Sequence, residues 1–227
     1  MPRRPEAQHR LDLWSIPLLF VTACGRHTHA AADGGAMGSP GGGLPANALA
    51  VPLVSQATSY SCGAAALQAV LYYWEAYDGN ESALYAALGT TPEKGTEPRS
   101  IVKVAKSFGL DAIYRWDVSL DDVRRGYAGG DTVILDLQAW QESKEKRDWA
   151  SDWDDGHYVV LVAIDDTRVF AMDPSAHYGY ASLPIAEFVA RWHDYEENDA
   201  GRVYIQHMAI FIHGRAHVEA GALVPLE

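Results

Sequence analysis

Hydrophobic residues follow two different spacings in the part of the chain beyond residue 47. In its first half, apolar residues such as Ala66, Ala69, Val70 and Tyr73 recur every three or four positions, which is typical of helices. This spacing predicts helices over residues 62–77, 81–88, 97–108 and 121–127, with extended backbone over 51–55 and 111–116. In the second half, apolar runs predict strands over 132–137, 157–164, 169–172 and 204–212, and one helix over 185–192. Helices followed by antiparallel strands indicate an α+β fold.

The first 23 residues have the pattern of an export signal. Arg3, Arg4 and Arg10 precede an apolar run over residues 13–23. This run is shorter than the ~20 residues that span a bilayer, and it suits a secretory signal. It ends in Val-Thr-Ala-Cys at residues 21–24, which resembles the lipobox of bacterial lipoproteins. That resemblance implies that Cys24 is lipidated and becomes the mature N-terminus, and plain secretion is the alternative.

Composition divides the rest of the chain into three parts. Residues 24–47 are rich in glycine, alanine and proline and have no apolar periodicity, so they are predicted to form a flexible tether. Residues 48–215 have the patterning of one globular domain, and residues 216–227 form a C-terminal tail. Gly25 stands where inner-membrane retention signals have aspartate. The lipoprotein hypothesis therefore places the domain on the periplasmic side of the outer membrane.

The net charge and the cysteine content argue against several classes of function. The formal net charge is −12, which argues against nucleic acid as a partner. The two cysteines, Cys24 and Cys62, are too few for a disulfide framework or a four-thiolate zinc site. Residues 152–156 resemble the start of a calcium loop, but the later glutamate is missing. We expect a monomer without a metal or cofactor.

Cys62 has the sequence context of a nucleophile. It stands at the predicted start of a helix, where unpaired backbone N–H groups and the helix dipole favour a thiolate. Gly63 carries no side chain that would obstruct a substrate carbonyl, and Ser61 is a candidate N-cap. The alternative is a small buried hydrophobic residue, which is the role of most cysteines outside disulfides.

Three further residues complete a candidate catalytic set. Gln56 lies six positions before Cys62, where its amide can donate to an oxyanion beside the Cys62 N–H. His157 opens a strongly apolar strand, and this context distinguishes it from the other histidines as a candidate base. Asp173 follows the next strand and precedes Pro174, so its carboxylate is held at a turn. It can orient the imidazole, although an Asx-turn role is the alternative.

The segments around these residues carry a family resemblance. Residues 51–67 (VPLVSQATSYSCGAAAL), 156–160 (GHYVV) and 172–175 (MDPS) resemble, in the same order, the C39 peptidases. These are the papain-like family of the bacteriocin-processing proteases. The resemblance covers residues 50 to 213 and implies a papain-like fold with N-terminal helices packed on an antiparallel sheet. It also implies Cys62 as nucleophile, His157 as base, Asp173 as orienting residue and Gln56 in the oxyanion hole.

The resemblance leaves the substrate and the reaction open. The best-known members belong to ABC exporters, face the cytoplasm and cut after a double glycine, whereas this chain shows no transporter spans and carries an export signal. It therefore resembles the free-standing exported members. We predict a cysteine peptidase that acts on peptides or proteins through a thioester. A peptidyl or acyl transferase, or a peptide-binding module on the same fold, is the alternative.

An acidic and aromatic segment precedes His157. Residues 148–155 read DWASDWDD. Trp149 and Trp153 are predicted to line the rim of the substrate cleft, where they can pack against an extended peptide. The carboxylates of this segment would favour basic substrates.

Overall fold

The computed structural model describes residues 43–140, 148–176, 179–198 and 201–215. Its helices are α1 (Cys62–Tyr73), α2 (Tyr85–Leu88), α3 (Pro98–Ser107), α4 (Leu120–Ala128) and α5 (Ile185–Arg191), with short 3-10 turns at Glu81–Leu84 and Trp149–Ser151. Its strands are β1 (Asp111–Arg115), β2 (Thr132–Gln138), β3 (Gly156–Ile164), β4 (Arg168–Met172), β5 (Ala181–Pro184), β6 (His193–Asn198), β7 (Gly201–Gln206) and β8 (Ala209–His213).

A six-stranded sheet with the order β1-β8-β2-β3-β4-β5 forms the centre of the domain, and all its neighbouring strands are antiparallel. Because side chains alternate along a strand, β3 contributes to two cores. Val160 and Val162 pack with α1 and α3 on one face, whereas Val159 and Leu161 pack with Phe188 of α5 on the other. The arrangement confirms the predicted α+β class.

β6 and β7 form a separate hairpin. Neither this hairpin's first strand nor β5 was predicted from the sequence. β6 reads His-Asp-Tyr-Glu-Glu-Asn, which has no apolar alternation, and β5 is short and only partly buried. The predicted strand over 204–212 is wrong as a single element. The chain breaks between β7 and β8 at His207, which has a positive φ of 50°, so the two halves join different sheets.

The helix that carries Cys62 begins where it was predicted but ends earlier. It stops at Tyr73, and Glu75 beyond it has a left-handed backbone with a φ of 52°. Its residues from Cys62 to Leu71 are all buried, which explains why the sequence shows so little polar patterning there. Among the described residues, none of the helices combines the length and the apolar character needed to cross a membrane.

Candidate active site

Cys62 is the first residue of α1 and is 1% exposed, in the wall of a cavity that opens on the sheet. The backbone N–H groups of the first helical turn have no partners within the helix, so they lie at the position where a thiolate or an oxyanion would be stabilised.

Gly63 allows β3 to approach the start of α1. A Cβ at this position would lie 2.7 Å from Cβ of Thr96 and 3.0 Å from the Tyr158 ring. The Tyr158 hydroxyl donates a hydrogen bond to the Thr96 carbonyl oxygen, 3.1 Å away, so both neighbours are held in place. The glycine is therefore required by packing as well as by access to the sulfur.

Ser61 does not cap α1, contrary to the sequence expectation. Its hydroxyl instead donates to the carbonyl oxygen of Thr58 at 3.2 Å and accepts from the Thr58 N–H at 3.1 Å. These bonds close the turn that leads into the helix. Local bonding of this kind competes with capping, because the hydroxyl oxygen that would accept from a helix N–H accepts from the Thr58 N–H instead.

His157 and Asp173 form a hydrogen-bonded pair. His157 is 1% exposed near the start of β3, and its Nε2–H donates to Oδ1 of Asp173 at 2.7 Å. The same carboxylate oxygen accepts from the backbone N–H and the hydroxyl of Ser175, both at 2.8 Å. The strand end and the following turn thus hold the carboxylate in one orientation, and the carboxylate holds the imidazole.

The Asp173 carboxylate is ionised at neutral pH. Burial alone would raise its pKa, but the hydrogen bonds from His157 and Ser175 outweigh burial and lower the pKa to about 2. Nδ1 of His157 is buried and has no hydrogen-bond partner in the part of the chain that the structure describes. The pair therefore leaves one ring nitrogen available for a proton from another group.

His157 and Tyr158 point to opposite sides of β3. Tyr158 lines the same cavity as Cys62, whereas His157 and Asp173 line a second cavity that also includes Trp140. The Trp140 ring lies against the imidazole, with 4.8 Å between the ring centroids. The structure thus brings His157 and Asp173 together and places Cys62 in the wall of the neighbouring cavity.

Gln56 lies in the extended segment before α1. Its backbone N–H donates to the Pro174 carbonyl oxygen at 2.9 Å, which connects this segment to the turn beyond Asp173. Its side-chain Nε2 donates to the Thr58 carbonyl oxygen at 2.7 Å, and Oε1 is buried without a hydrogen-bond partner. The amide is therefore close to the start of α1 but is engaged locally.

Glu81 braces the segment that carries Gln56. It is buried, and its Oε2 accepts from the Ala57 N–H at 2.8 Å while Oε1 accepts from the Tyr85 hydroxyl at 3.0 Å. Neither Glu81 nor Trp140, which lies beside His157, is marked as a site residue by the sequence. A glutamate preceded by Asn80 at a helix start looks like an ordinary surface residue, and only the fold shows that it faces inward.

The two tryptophans of the predicted rim lie in different places. Trp153 lines the cavity of Cys62 together with Asp154. Trp149 instead lies under the guanidinium of Arg191, 3.7 Å from the ring centroid. Cys24, the export signal and residues 24–42 of the tether fall outside the described residues. Within those residues, no group of three or more His, Cys, Asp or Glu side chains is placed to hold a metal ion.

A family model described as "Peptidase_C39 like family" matches residues 48–199. No curated protein matches the chain. Among solved structures, a C39-like peptidase from Bacillus anthracis is similar at 16% identity with a TM-score of 0.55, over 74% of this chain and 96% of that one. This likeness supports the papain-like fold expected from the sequence.

Two further structures are similar at lower scores. A double glycine motif protease from an AMS/PCAT transporter, in complex with the leader peptide, has 19% identity and a TM-score of 0.48, over 75% of this chain and 96% of that one. The peptidase domain of Streptococcus ComA, a bi-functional ABC transporter, has 17% identity and a TM-score of 0.49, over 73% and 99%.

Proposed function

Because this chain belongs to the Peptidase_C39 like family, we propose that it is an exported cysteine peptidase that cleaves peptide bonds through Cys62, His157 and Asp173. The observation that carries the catalytic assignment is the His157–Asp173 pair at 2.7 Å, which leaves Nδ1 of His157 buried and without a hydrogen-bond partner in the described residues. A histidine held by a carboxylate through one nitrogen is prepared to exchange a proton through the other.

The proposed reaction begins with the reduced Cys62. Nδ1 of His157 takes the thiol proton, and the thiolate attacks the scissile carbonyl carbon to form a tetrahedral intermediate. The resulting imidazolium then protonates the leaving amine, so that the C–N bond breaks and a thioester remains. Water, deprotonated by His157, hydrolyses the thioester and releases the acid and the thiol. Asp173 stabilises the imidazolium in both halves of the reaction.

The oxyanion is stabilised at the start of α1 in this proposal. The Cys62 backbone N–H supplies one donor, and the Gln56 amide supplies the second once Nε2 turns from the Thr58 carbonyl oxygen toward the substrate. Removing one such donor usually lowers kcat by ~10²–10³. We expect that loss for Gln56→Ala, measured as peptide hydrolysis, with no change in the rate of Cys62 alkylation.

The reactivity of Cys62 tests the proposal directly. The full chain, solubilised in detergent and reduced, should react with iodoacetamide at Cys62 while folded. The reaction should persist below pH 7, where an ordinary thiol of pKa ~8.5 is mostly protonated. Labelling of Cys62 only after denaturation would show that it is a core residue and would overturn the peptidase assignment. An acceptor amine that captures the acyl group in place of water would reveal a transferase.

Export and lipidation are proposed from the N-terminal sequence. Metabolic labelling with palmitate should mark the wild-type chain and not Cys24→Ser, and the variant should either retain its signal or be released in soluble form. An unlabelled wild-type chain found outside the cytoplasm would establish plain secretion. An unlabelled chain found in the cytoplasm would overturn export altogether.

A further inference from the structure

The cavity beside Cys62 has a strongly acidic lining. The cation among its described lining residues is Lys94. Seven acidic residues line the cavity: Glu93, Glu97, Asp136, Asp154, Asp194, Glu196 and Glu197. Its volume is about 110 Å³, somewhat below the ~150 Å³ of an engineered cavity that holds one benzene molecule. The cavity therefore has room for one side chain of a substrate.

Asp136 is the most deeply buried acidic residue of this lining. It is 7% exposed, on β2, and its Oδ1 has no hydrogen-bond partner in the described part of the chain. A buried carboxylate oxygen without a partner is costly, because it has lost water and gained nothing in return. A donor supplied by a ligand would remove that cost.

Asp194 faces the same point from the β6–β7 hairpin. Burial and the neighbouring Asp194 charge raise the pKa of Asp136 well above its usual range, and burial raises the pKa of Asp194 to about 6. Two carboxyl groups this close hold a proton between them when no cation is present. A cation would allow both groups to ionise.

The acidic cavity adjoins the proposed catalytic residues. The Asp194 carboxylate lies over Gly156, the residue before His157, and a Cβ on Gly156 would come within 2.0 Å of its Oδ2. Tyr158, the residue after His157, forms another wall of the cavity. A side chain bound there would belong to a substrate residue close to the scissile bond.

The remaining walls suit an aliphatic stem. Tyr158, Trp153 and Met208 also line the cavity and contribute apolar surface to it. Lysine and arginine combine such a stem with a cationic head, and long cationic side chains commonly bind with the stem against apolar surface. Arg202 on β7 is engaged with the Tyr195 ring, 4.1 Å from its centroid, and with Glu197.

We propose that this cavity is a specificity subsite for a lysine or arginine side chain of the peptide substrate, with Asp136 and Asp194 as the groups that receive the cationic head. The inference rests on the proposed peptidase function, and it names the substrate class for that function. It differs from the rim predicted from residues 148–155, because the two receiving carboxylates come from β2 and β6.

Matched peptides test the subsite. A fluorogenic peptide library is prepared in which each position in turn holds lysine, arginine, norleucine or glutamate. At one position next to the cleaved bond, kcat/KM for lysine or arginine should exceed that for norleucine ~10–100-fold, the usual worth of a hydrogen bond to a charged group. Asp136→Asn and Asp194→Asn should each reduce this ratio. Asp121→Asn, which removes an exposed carboxylate of α4, should leave it unchanged.

A binding measurement separates this inference from the peptidase assignment. The same peptides are titrated into Cys62→Ala, which cannot form a thioester. Tighter binding of the lysine peptide than of the norleucine peptide, lost when Asp136→Asn is added, supports the subsite even if the wild-type protein hydrolyses nothing. Equal binding of the two peptides overturns the subsite, even if hydrolysis and Cys62 labelling establish the peptidase.

Discussion

At the scale of single residues, the proposed catalytic set depends on how each side chain is held. Asp173 is locked by three hydrogen bonds to one oxygen, and its carboxylate in turn holds His157 through Nε2. The Trp140 ring covers the imidazole and limits its access to water. The orientation of His157 is therefore set by Asp173 and Trp140.

His157 and Asp173 should differ in the effect of their replacement. His157→Ala removes the proton acceptor, so hydrolysis should be abolished and the pH midpoint of Cys62 alkylation should rise toward that of an ordinary thiol, about 8.5. Asp173→Asn should retain measurable hydrolysis, because an amide oxygen still accepts from the ring N–H. Alkylation profiles and peptide hydrolysis measure both. Full activity in His157→Ala combined with loss in His193→Ala would assign the base to His193.

Acid should weaken the hydrogen-bonded pair of His157 and Asp173 in a defined pH range. The Asp173 pKa is lowered in the folded protein to about 2 from the ordinary ~3.9 of an aspartate. Its contribution to the free energy of unfolding is therefore present above pH ~4 and is lost as the pH falls toward 2. Denaturation curves of wild type and Asp173→Asn should converge over that range, and parallel curves would contradict the structure.

At the scale of elements, the site lies where the start of α1, the start of β3 and the end of β4 meet. Gly63 lets α1 approach Tyr158, and the Gln56 N–H bond to Pro174 joins the segment before α1 to the turn after β4. Glu81 braces the same segment from the 3-10 turn that follows α1. These connections link three elements that are distant in sequence.

Gly63→Ala should displace the start of α1. Its Cβ would meet Thr96 at 2.7 Å, and overpacking of a buried contact commonly costs ~1–3 kcal/mol. Denaturant unfolding should show that loss, together with slower Cys62 alkylation. Gly43→Ala serves as the control, because a Cβ there meets no atom within 4 Å and should leave stability unchanged.

Glu81→Ala should loosen the segment that carries Gln56. It removes the acceptor of the Ala57 N–H, so we expect a loss of ~0.5–1.5 kcal/mol in stability, the usual net worth of one hydrogen bond, and a lower kcat. Tyr85→Phe is the matched control, since it removes only the hydrogen bond to Oε1. If Glu81→Ala lowered stability but left kcat and KM at wild-type values, a positioning role for Glu81 would be excluded.

At the scale of the whole domain, the acidic cavity makes the free energy of unfolding depend on pH. This dependence lies at higher pH than the range in which Asp173 titrates. The Asp194 pKa is raised to about 6, so the folded protein holds a proton that the unfolded chain has released. The associated stability is present below pH ~4 and is lost as the pH rises through about 6. Asp194→Asn removes this pH dependence of stability, because an amide does not titrate.

We therefore expect Asp194→Asn to gain stability relative to wild type between pH 4 and pH 7, by an amount of order 2 kcal/mol. Thermal or denaturant unfolding at several pH values measures the difference, and Asp121→Asn provides the exposed control. A constant difference in the free energy of unfolding between wild type and Asp194→Asn across this range would show that Asp194 is already ionised at pH 4.

The sequence by itself determined the α+β class and the positions of most elements on the large sheet. It did so because buried helices and strands need apolar residues at characteristic spacings, as β3 and α3 show. The sequence also predicts Gln56, Cys62, His157 and Asp173 as the catalytic set. A cysteine at a helix start and a histidine that opens an apolar strand can be recognised from the local sequence. The family resemblance implies that these residues act together.

Only the tertiary structure decided which side chains meet. β6 is polar and partly exposed, so no hydrophobic pattern marks it, yet it brings Asp194 against Asp136 across 58 positions of sequence. The contacts of Trp140 with His157 and of Glu81 with Ala57 also join residues far apart in the chain. Such contacts depend on the packing of whole elements, so they cannot be predicted from the spacing of residues within one element.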